Sequence, residues 1–294
     1  MVRKDSKILV TGVRGQLGFD CVRELKERGY SQVLGVDKEE LDITDENKVH
    51  QFIRSYRPEI VMHNAAWTAV DKAESMPEAV YRVNALGPKY IAEACREVNA
   101  TMLYISTDYV FDGKGTRPFE VDDPKDGLSV YGKTKSQGED FVKAALERYF
   151  IIRISWVFGI NGHNFIRTML NLAKTHSELN VVDDQIGSPT YTYDLSKLMC
   201  DMMLGNKYGI YHATNEGFTS WAEFAKFIFA ESHLNVIVHP VSTEKYQRLV
   251  PNQASRPLNS RLSKKSLDTA GFTRLPTWQD ATKRYLCDLA KEEK

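Results

Sequence analysis

A doubly wound α/β fold, a parallel sheet with helices on both faces, is what this 294-residue sequence predicts. Three observations predict it. Short β-favouring runs alternate with helical patterns five times before residue 155, the signature of a parallel sheet. The first run ends in a glycine turn that opens directly into a helix. Beyond Ser155-Trp156-Val157-Phe158-Gly159 the alternation gives way to helices separated by short strands and irregular loops. The expected organisation is a dinucleotide-binding domain over 1–155, with segments near 180–215 returning to it. A smaller, mixed α/β lobe over 156–294 would bind substrate.

Lys7 to Thr11 is the first strand, and Gly12-Val13-Arg14-Gly15-Gln16-Leu17-Gly18 follows it. Apolar Leu17, Cys21, Val22 and Leu25 mark one face of a helix that stops at Gly29. Strand, glycine turn and helix in this order make the pyrophosphate cradle of a Rossmann-type fold. The first glycine permits the turn, the next admits a phosphate against the backbone, and the helix start offers free N–H groups. Gly12, Gly15, Gln16 and Leu17 are therefore cofactor candidates, in the spacing G-x-x-G-x-x-G. The second strand, Gln32 to Val36, ends at Asp37. That acid either holds adenosine ribose hydroxyls, favouring NADH over NADPH, or starts a turn beside Lys38. Leu41-Asp42-Ile43-Thr44 leads into a helix with Thr44 as its expected N-cap. Asp42 and Ile43 either flank an adenine ring or serve the cap.

The third strand, Glu59 to His63, is followed by Asn64-Ala65-Ala66. Small residues past a strand's C-terminal end let backbone approach a ligand, and Trp67 and Thr68 continue into that crevice. His63 reads as a packed strand-end residue. A long helix is expected over 77–98. Its Asn84 either holds backbone or water near the site, or is an ordinary satisfied amide. The fourth strand, Thr101 to Ile105, delivers Ser106-Thr107-Asp108-Tyr109. Thr107 can donate a hydrogen bond to a substrate carbonyl there. Residues 114–127 read as a surface excursion.

The next helix, expected to reach about Tyr149, carries Tyr131 and Lys135 four apart on one face. A phenol titrates near pH 10, and an adjacent ammonium favours its ionised form, so the pair is a candidate acid/base device. The same spacing is common on solvated helices. Phe150 to Ile154 is the fifth strand. Later helices are expected near 164–175, 193–204, 220–231, 263–270 and 277–291. Runs at 180–182 and 209–212 would extend the sheet or cover its edge. Loops 184–190 and 254–260 offer Gln185 and Arg256 to a pocket. By its fork geometry Arg256 is a diphosphate partner, or else a surface arginine. The tail, 291–294, reads as a fraying helix end.

Lys+Arg and Asp+Glu both total 39, a balance that gives no reason to expect nucleic acid or an anionic membrane as partner. No apolar run suits a signal peptide or a membrane span, so a cytoplasmic protein is expected. Cys21, Cys95, Cys200 and Cys287 lie far apart and read as buried, reduced thiols.

Thr11–Gly18, Leu41–Thr44, Asn64–Glu74, Ser106–Gly113, Asp184–Thr190 and Arg256–Ser260 together resemble the extended short-chain dehydrogenase/reductase family. The resemblance spans nearly the whole chain and leans toward its nucleotide-sugar reductases. It implies that Thr107, Tyr131 and Lys135 are catalytic and that Thr107, Asp108 and Trp156 face a sugar. It also implies that the glycine loop, Asp42-Ile43 and Ala66–Thr68 contact the dinucleotide. The implied reaction is reduction of the C4 ketone of a dTDP-linked 4-keto-6-deoxy sugar by NADPH or NADH. Tyr131 would give the proton, Lys135 would lower the tyrosine's pKa and hold the cofactor ribose, and Trp156 would wall the sugar. Some relatives pair through metal-bridging glutamates. Here Asp20 stands near the first such position but no full set is found, so no metal is expected, in a monomer or homodimer. Two other readings remain. A sibling epimerase or dehydratase would share the fold, although dehydratases need Thr-Asp-Glu where this chain has Thr107-Asp108-Tyr109. A non-catalytic NADP-binding subunit, like the regulatory β subunit of methionine adenosyltransferase, is the other; intact Thr107, Tyr131 and Lys135 favour an enzyme.

Overall fold

The computed structural model describes residues 2–251 and 253–292. Met1, Glu293 and Lys294, at the chain ends read above, lie outside them. The first half runs β1 (Ile8–Thr11), α1 (Gln16–Glu27), β2 (Val33–Val36), α2 (Glu46–Tyr56), β3 (Ile60–His63), α3 (Val70–Ala73), α4 (Pro77–Tyr81), a π-helical turn (Arg82–Leu86), α5 (Gly87–Val98) and β4 (Thr101–Thr107). Next come α6 (Val130–Ala145), β5 (Tyr149–Ile154), β6 (Val157–Phe158), α7 (Phe165–Leu172), β7 (Glu178–Val182), β8 (Ile186–Gly187), β9 (Thr190–Tyr191) and α8 (Thr192–Met202). The chain closes with β10 (Gly209–His212), β11 (Thr219–Ser220), α9 (Trp221–Glu231), β12 (Ile237–Val241), α10 (Thr243–Leu249), α11 (Lys265–Ala270) and α12 (Trp278–Glu292).

Six strands form one parallel sheet in the order β2-β1-β3-β4-β5-β10. Strands β1 and β3 are buried at every position, as expected when helices cover both faces. One face packs Ile8 and Val10 against Leu17, Cys21 and Leu25 of α1 and Leu195 and Met199 of α8. The other packs Leu9 and Val61 against α2 (Val49, Ile53), α5 (Ile91, Cys95) and α6 (Val142). The chain therefore winds in opposite directions from β1 and β3, and the crevice above their C-terminal ends is the topological switch point. A third core gathers Phe158, Tyr191, Phe224, Trp278 and Tyr285 from β6, β9, α9 and α12.

Several elements differ from expectation. Gly209–His212 extends the sheet as β10, whereas 180–182 pairs with β12 away from it. Helix α2 is capped by Asp45, which accepts from the Lys48 N–H at 3.1 Å; Thr44 is instead tied to Asp42. Helix α6 ends at Ala145, and β4 runs on to Thr107. Cys287 is exposed, while the other three cysteines are buried. No helix among the described residues is long and apolar enough to cross a membrane.

The expected helix over 77–98 contains the π turn, an insertion favoured near functional sites. Within it the carbonyl of buried Asn84 accepts from Tyr104 Oη at 3.3 Å. Helix α6 passes over this turn at Gly138, where a Cβ would lie 2.6 Å from Tyr104 Oη and closer still to the Asn84 carbonyl. Gly138→Ala should therefore destabilise the protein by about 1–3 kcal/mol in urea unfolding, because overpacking outweighs the roughly 1 kcal/mol of helix propensity gained. An unchanged or raised midpoint would mean that α6 moves away at little cost.

Candidate active site

The cradle is built by close backbone approach. Gly12 has φ +70°, and a Cβ there would sit 2.8 Å from the Ala65 nitrogen. One turn into α1, Gly18 packs directly on the Gly12 carbonyl. Gly15 is the N-cap of α1; it supplies no side-chain cap, and the first turn carries no acid. The N–H groups of that turn are left for an anion, which the helix dipole also favours. Gln16 Oε1 accepts from Gly159 N at 2.8 Å and Asn164 Nδ2 at 3.1 Å, tying this turn to the loop after β6.

A cleft of about 930 Å³ opens over the cradle, and every cofactor candidate named from the sequence lines it. At its far end Asp37 accepts from Arg14 N at 3.1 Å and Lys38 N at 2.8 Å. The carboxylate thus braces the glycine loop and starts the turn while still facing the cleft. Asp42 closes a local turn by accepting from Thr44 N and Oγ1, and buried Ile43 packs beside Gly87. Asn84 holds both sides of the Trp67 peptide: Oδ1 accepts from Trp67 N at 2.8 Å and Nδ2 donates to Trp67 O at 3.1 Å. Of the two roles open to it, Asn84 takes the one that fixes cleft backbone. His63 pairs with Thr11 Oγ1 at 2.8 Å. Its pKa is pushed down to about 3 by burial and then by Lys135, so it stays neutral.

At the other end, β4 and α6 bring Thr107, Asp108, Tyr131 and Lys135 together on the cleft wall. Thr107 Oγ1 donates to Asp108 Oδ1 at 3.0 Å. The second oxygen, Asp108 Oδ2, is buried without a partner, and burial raises this carboxyl to about 6. An orphaned buried acceptor facing a cavity is a place for a ligand hydroxyl.

The tyrosine–lysine pair departs from the expected charge-tuned device. Burial pushes Tyr131 up to about 12, against the Thr107 hydroxyl beside it. Burial also pulls Lys135 down to about 7. The lysine Nζ donates to Ile105 O at 2.6 Å and lies 4.1 Å from the centre of the Tyr104 ring. Desolvation penalises charge on both groups more than a neighbour one helical turn away favours it. The phenol is therefore protonated, the state a proton donor needs.

Gln185 and Arg256 do not line this cleft. They face a second cavity of about 310 Å³, which shares Tyr109 and Trp156 with the first. Arg256 is already held by Asp71 through Nη2, at 2.8 and 3.1 Å, so it is not a free cation. Gln185 donates to Thr243 Oγ1 and accepts from Trp221 Nε1. Trp156 adopts φ +49° and stacks on Trp221 with ring centroids 3.7 Å apart. Tyr109 meets Tyr131 edge-on at 5.5 Å. Sequence reasoning missed Trp221; its signal was a rare tryptophan directly after the capping serine, Ser220. Among the described residues, metal-type side chains gather at Glu46, His50 and Glu93, on α2 and α5, without Asp20.

Known proteins resemble this chain along nearly its full length. The model of the RmlD substrate binding domain matches residues 6–291. The spore coat polysaccharide biosynthesis protein SpsK of Bacillus subtilis is 43% identical, over 96% of this chain and 97% of its own. A crystal structure of a dTDP-4-dehydrorhamnose reductase from Clostridium acetobutylicum superposes with a TM-score of 0.93 at 41% identity, covering 97% of this chain and 99% of that one. The dTDP-4-dehydrorhamnose reductase of Bacillus anthracis, solved in complex with NADP, gives 0.92 at 39% identity with the same coverage. With a glycine cradle, a Tyr131–Lys135 helix and a match along almost its full length, the chain belongs to the RmlD substrate binding domain family, that of the dTDP-4-dehydrorhamnose reductases.

Proposed function

We propose that this protein reduces the C4 ketone of dTDP-4-dehydro-6-deoxy-L-mannose to give dTDP-L-rhamnose, with NADPH or NADH as reductant. The observation that carries the reading is a protonated phenol beside Thr107 in the same cleft as an uncapped, glycine-lined helix N-terminus. The cradle fits a dinucleotide because Gly12 and Gly18 leave no room for a Cβ and the first turn of α1 keeps its N–H groups for a diphosphate. Asp37, Asp42 and Ile43 would face the adenosine end, and the Ala65–Thr68 backbone and Lys135 the nicotinamide riboside. A reduced nicotinamide supplies hydride when bound.

The chain's own groups handle the oxygen. Thr107 turns its one hydroxyl proton from Asp108 Oδ1 to the ketone, stabilising the negative charge that develops on it. Tyr131 then gives its proton to that oxygen, and Lys135 in its ammonium form stabilises the phenolate left behind. Asp108 Oδ2 accepts from a sugar hydroxyl, and Trp156 walls the ring. The nucleotide arm would extend past Tyr109 and Trp156 into the second cavity, toward Gln185. Arg256, bonded to Asp71 through Nη2, would meet its diphosphate with its other guanidinium N–H groups. Buried thiols at Cys21, Cys95 and Cys200 suit a reducing cytoplasm. A dehydratase would need a carboxylate where Tyr109 packs edge-on against Tyr131, which favours the reductase.

The direct test is to offer the purified protein dTDP-4-dehydro-6-deoxy-L-mannose with each reduced cofactor and follow the nicotinamide absorbance. Oxidation with neither cofactor would defeat the proposal. Tyr131→Phe should lower kcat by about 10²–10⁴-fold, the usual share of general acid catalysis, with cofactor affinity unchanged. Undiminished kcat would remove Tyr131 as the donor. Lys135→Met should weaken turnover and nicotinamide binding together, and normal binding in a titration would remove its ribose role.

A further inference from the structure

One turn beyond Lys135, on the same helix, lies a charged group that the chemistry above does not use. Glu139 is completely buried. It follows Lys135 by four residues on α6, so it lies one turn further along the same face. Ser106 Oγ donates to Glu139 Oε1 at 2.6 Å. Arg153 of β5 grips both carboxylate oxygens, with Nε 2.8 Å from Oε1 and Nη2 2.8 Å from Oε2. Lys125, from the surface excursion, is 3.5 Å from Oε2. Burial disfavours the carboxylate, but Arg153, Lys125 and Ser106 outweigh it and hold the group ionised.

We propose that Glu139 is a positioning residue for the reduction: it keeps Lys135 cationic and clamps the Ser106–Thr107 end of β4 against α6. The proposal rests on reading the cleft as a reductase site. Lys135 has few ways to stay charged. Its near surroundings are the Ile105 carbonyl and the Tyr104 ring of β4, neutral His63 of β3, and Tyr131 one turn before it. Burial drags its pKa down, and the carboxylate that offsets this is Glu139. The other groups around Glu139 work in the opposite direction. Arg153 and Lys125 are cations, and His212 of β10, 3.4 Å from Arg153 Nη1, is kept neutral by burial and then by Arg153. Without Glu139 the buried Arg153 would lose its carboxylate partner, while Lys125 would keep Asp140, 2.6 Å from its Nζ.

Stability alone is a poor reason for the arrangement, because a buried ion pair can commonly be exchanged for apolar side chains with no loss of stability. The two ends of this one point instead at function. Ser106 directly precedes the hydroxyl donor Thr107, and Lys135 sits a turn above the carboxylate. One side chain thereby couples the register of the carbonyl-binding strand to the charge behind the proton donor.

The test is the pH dependence of NADPH binding to the free protein, followed by nicotinamide fluorescence, with kcat measured beside it where turnover is seen. In the wild type both should fall as pH rises through the range near 7 where Lys135 loses its proton. Glu139→Gln should move that limb about one unit toward acid, the smaller end of the shift caused by a nearby charge, which lowers affinity up to about tenfold at pH values above the limb. Glu139→Asp, which keeps the charge, should return the limb most of the way. If Glu139→Gln does not fold because Arg153 is left unpaired, Lys125→Met provides the opposite displacement: removing a cation beside Glu139 should move the limb toward alkali. A limb unmoved in folded Glu139→Gln, one moved equally by Glu139→Asp, or one unmoved in Lys125→Met overturns the proposal. Wild-type protein that binds NADPH with this limb but oxidises it with no nucleotide-sugar ketone refutes the reductase reading alone, since binding still reports on Glu139.

Discussion

The structure depends on one close approach, backbone against backbone, between the ends of β1 and β3. Gly12 turns at φ +70° with the Ala65 nitrogen where its side chain would be, and Gly18 lets α1 rest on the same peptide. A side chain at either glycine would push the helix away from the sheet. It would also separate the helix start from the Ala65–Ala66 backbone that lines the same cleft. Every other cleft feature is referred to this contact: Asn84 fixes the Trp67 peptide just beyond it, and Asp37 braces the glycine loop from the β2 side.

Burial of the ionisable side chains governs the reacting end. In an open helix the tyrosine–lysine pair would titrate as a phenol with a helpful cation. Here both groups are driven toward neutrality, Tyr131 upward and Lys135 downward, because burial in the cleft wall penalises charge on each. That favours giving a proton over taking one. It also makes the lysine's charge conditional on what surrounds it, the Glu139 carboxylate a turn further along α6 included.

Much of the fold was legible in the sequence, because period and punctuation carry it: five strands closed by glycine or polar turns, with apolar helical faces between them. The sixth strand was harder. Gly209–His212 is short and lies far along the chain, and only its pairing with β5 distinguishes it from 180–182, which pairs elsewhere. The π turn was invisible, since Arg82–Leu86 has ordinary helical composition, and its neighbours Tyr104 and Gly138 are distant in sequence. In the site, the cofactor candidates were legible because backbone needs select glycine and alanine. Arg256 was not, because its pairing with Asp71 joins residues 185 positions apart. Charge states were the least legible: the spacing of Tyr131 and Lys135 says that they share a face, and nothing about how dry that face is.

Trp156 carries a cost of its own. A bulky residue at φ +49° is an outlier that stores roughly 1–3 kcal/mol of backbone strain, and Gly187 is bare beneath its ring. Glycine or asparagine would relax that peptide, so selection for heat tolerance alone would tend to replace the indole. The replacement would dissolve the partition between the two cavities. At this position backbone ease and the wall between the cavities pull in opposite directions, and the strained indole keeps the wall.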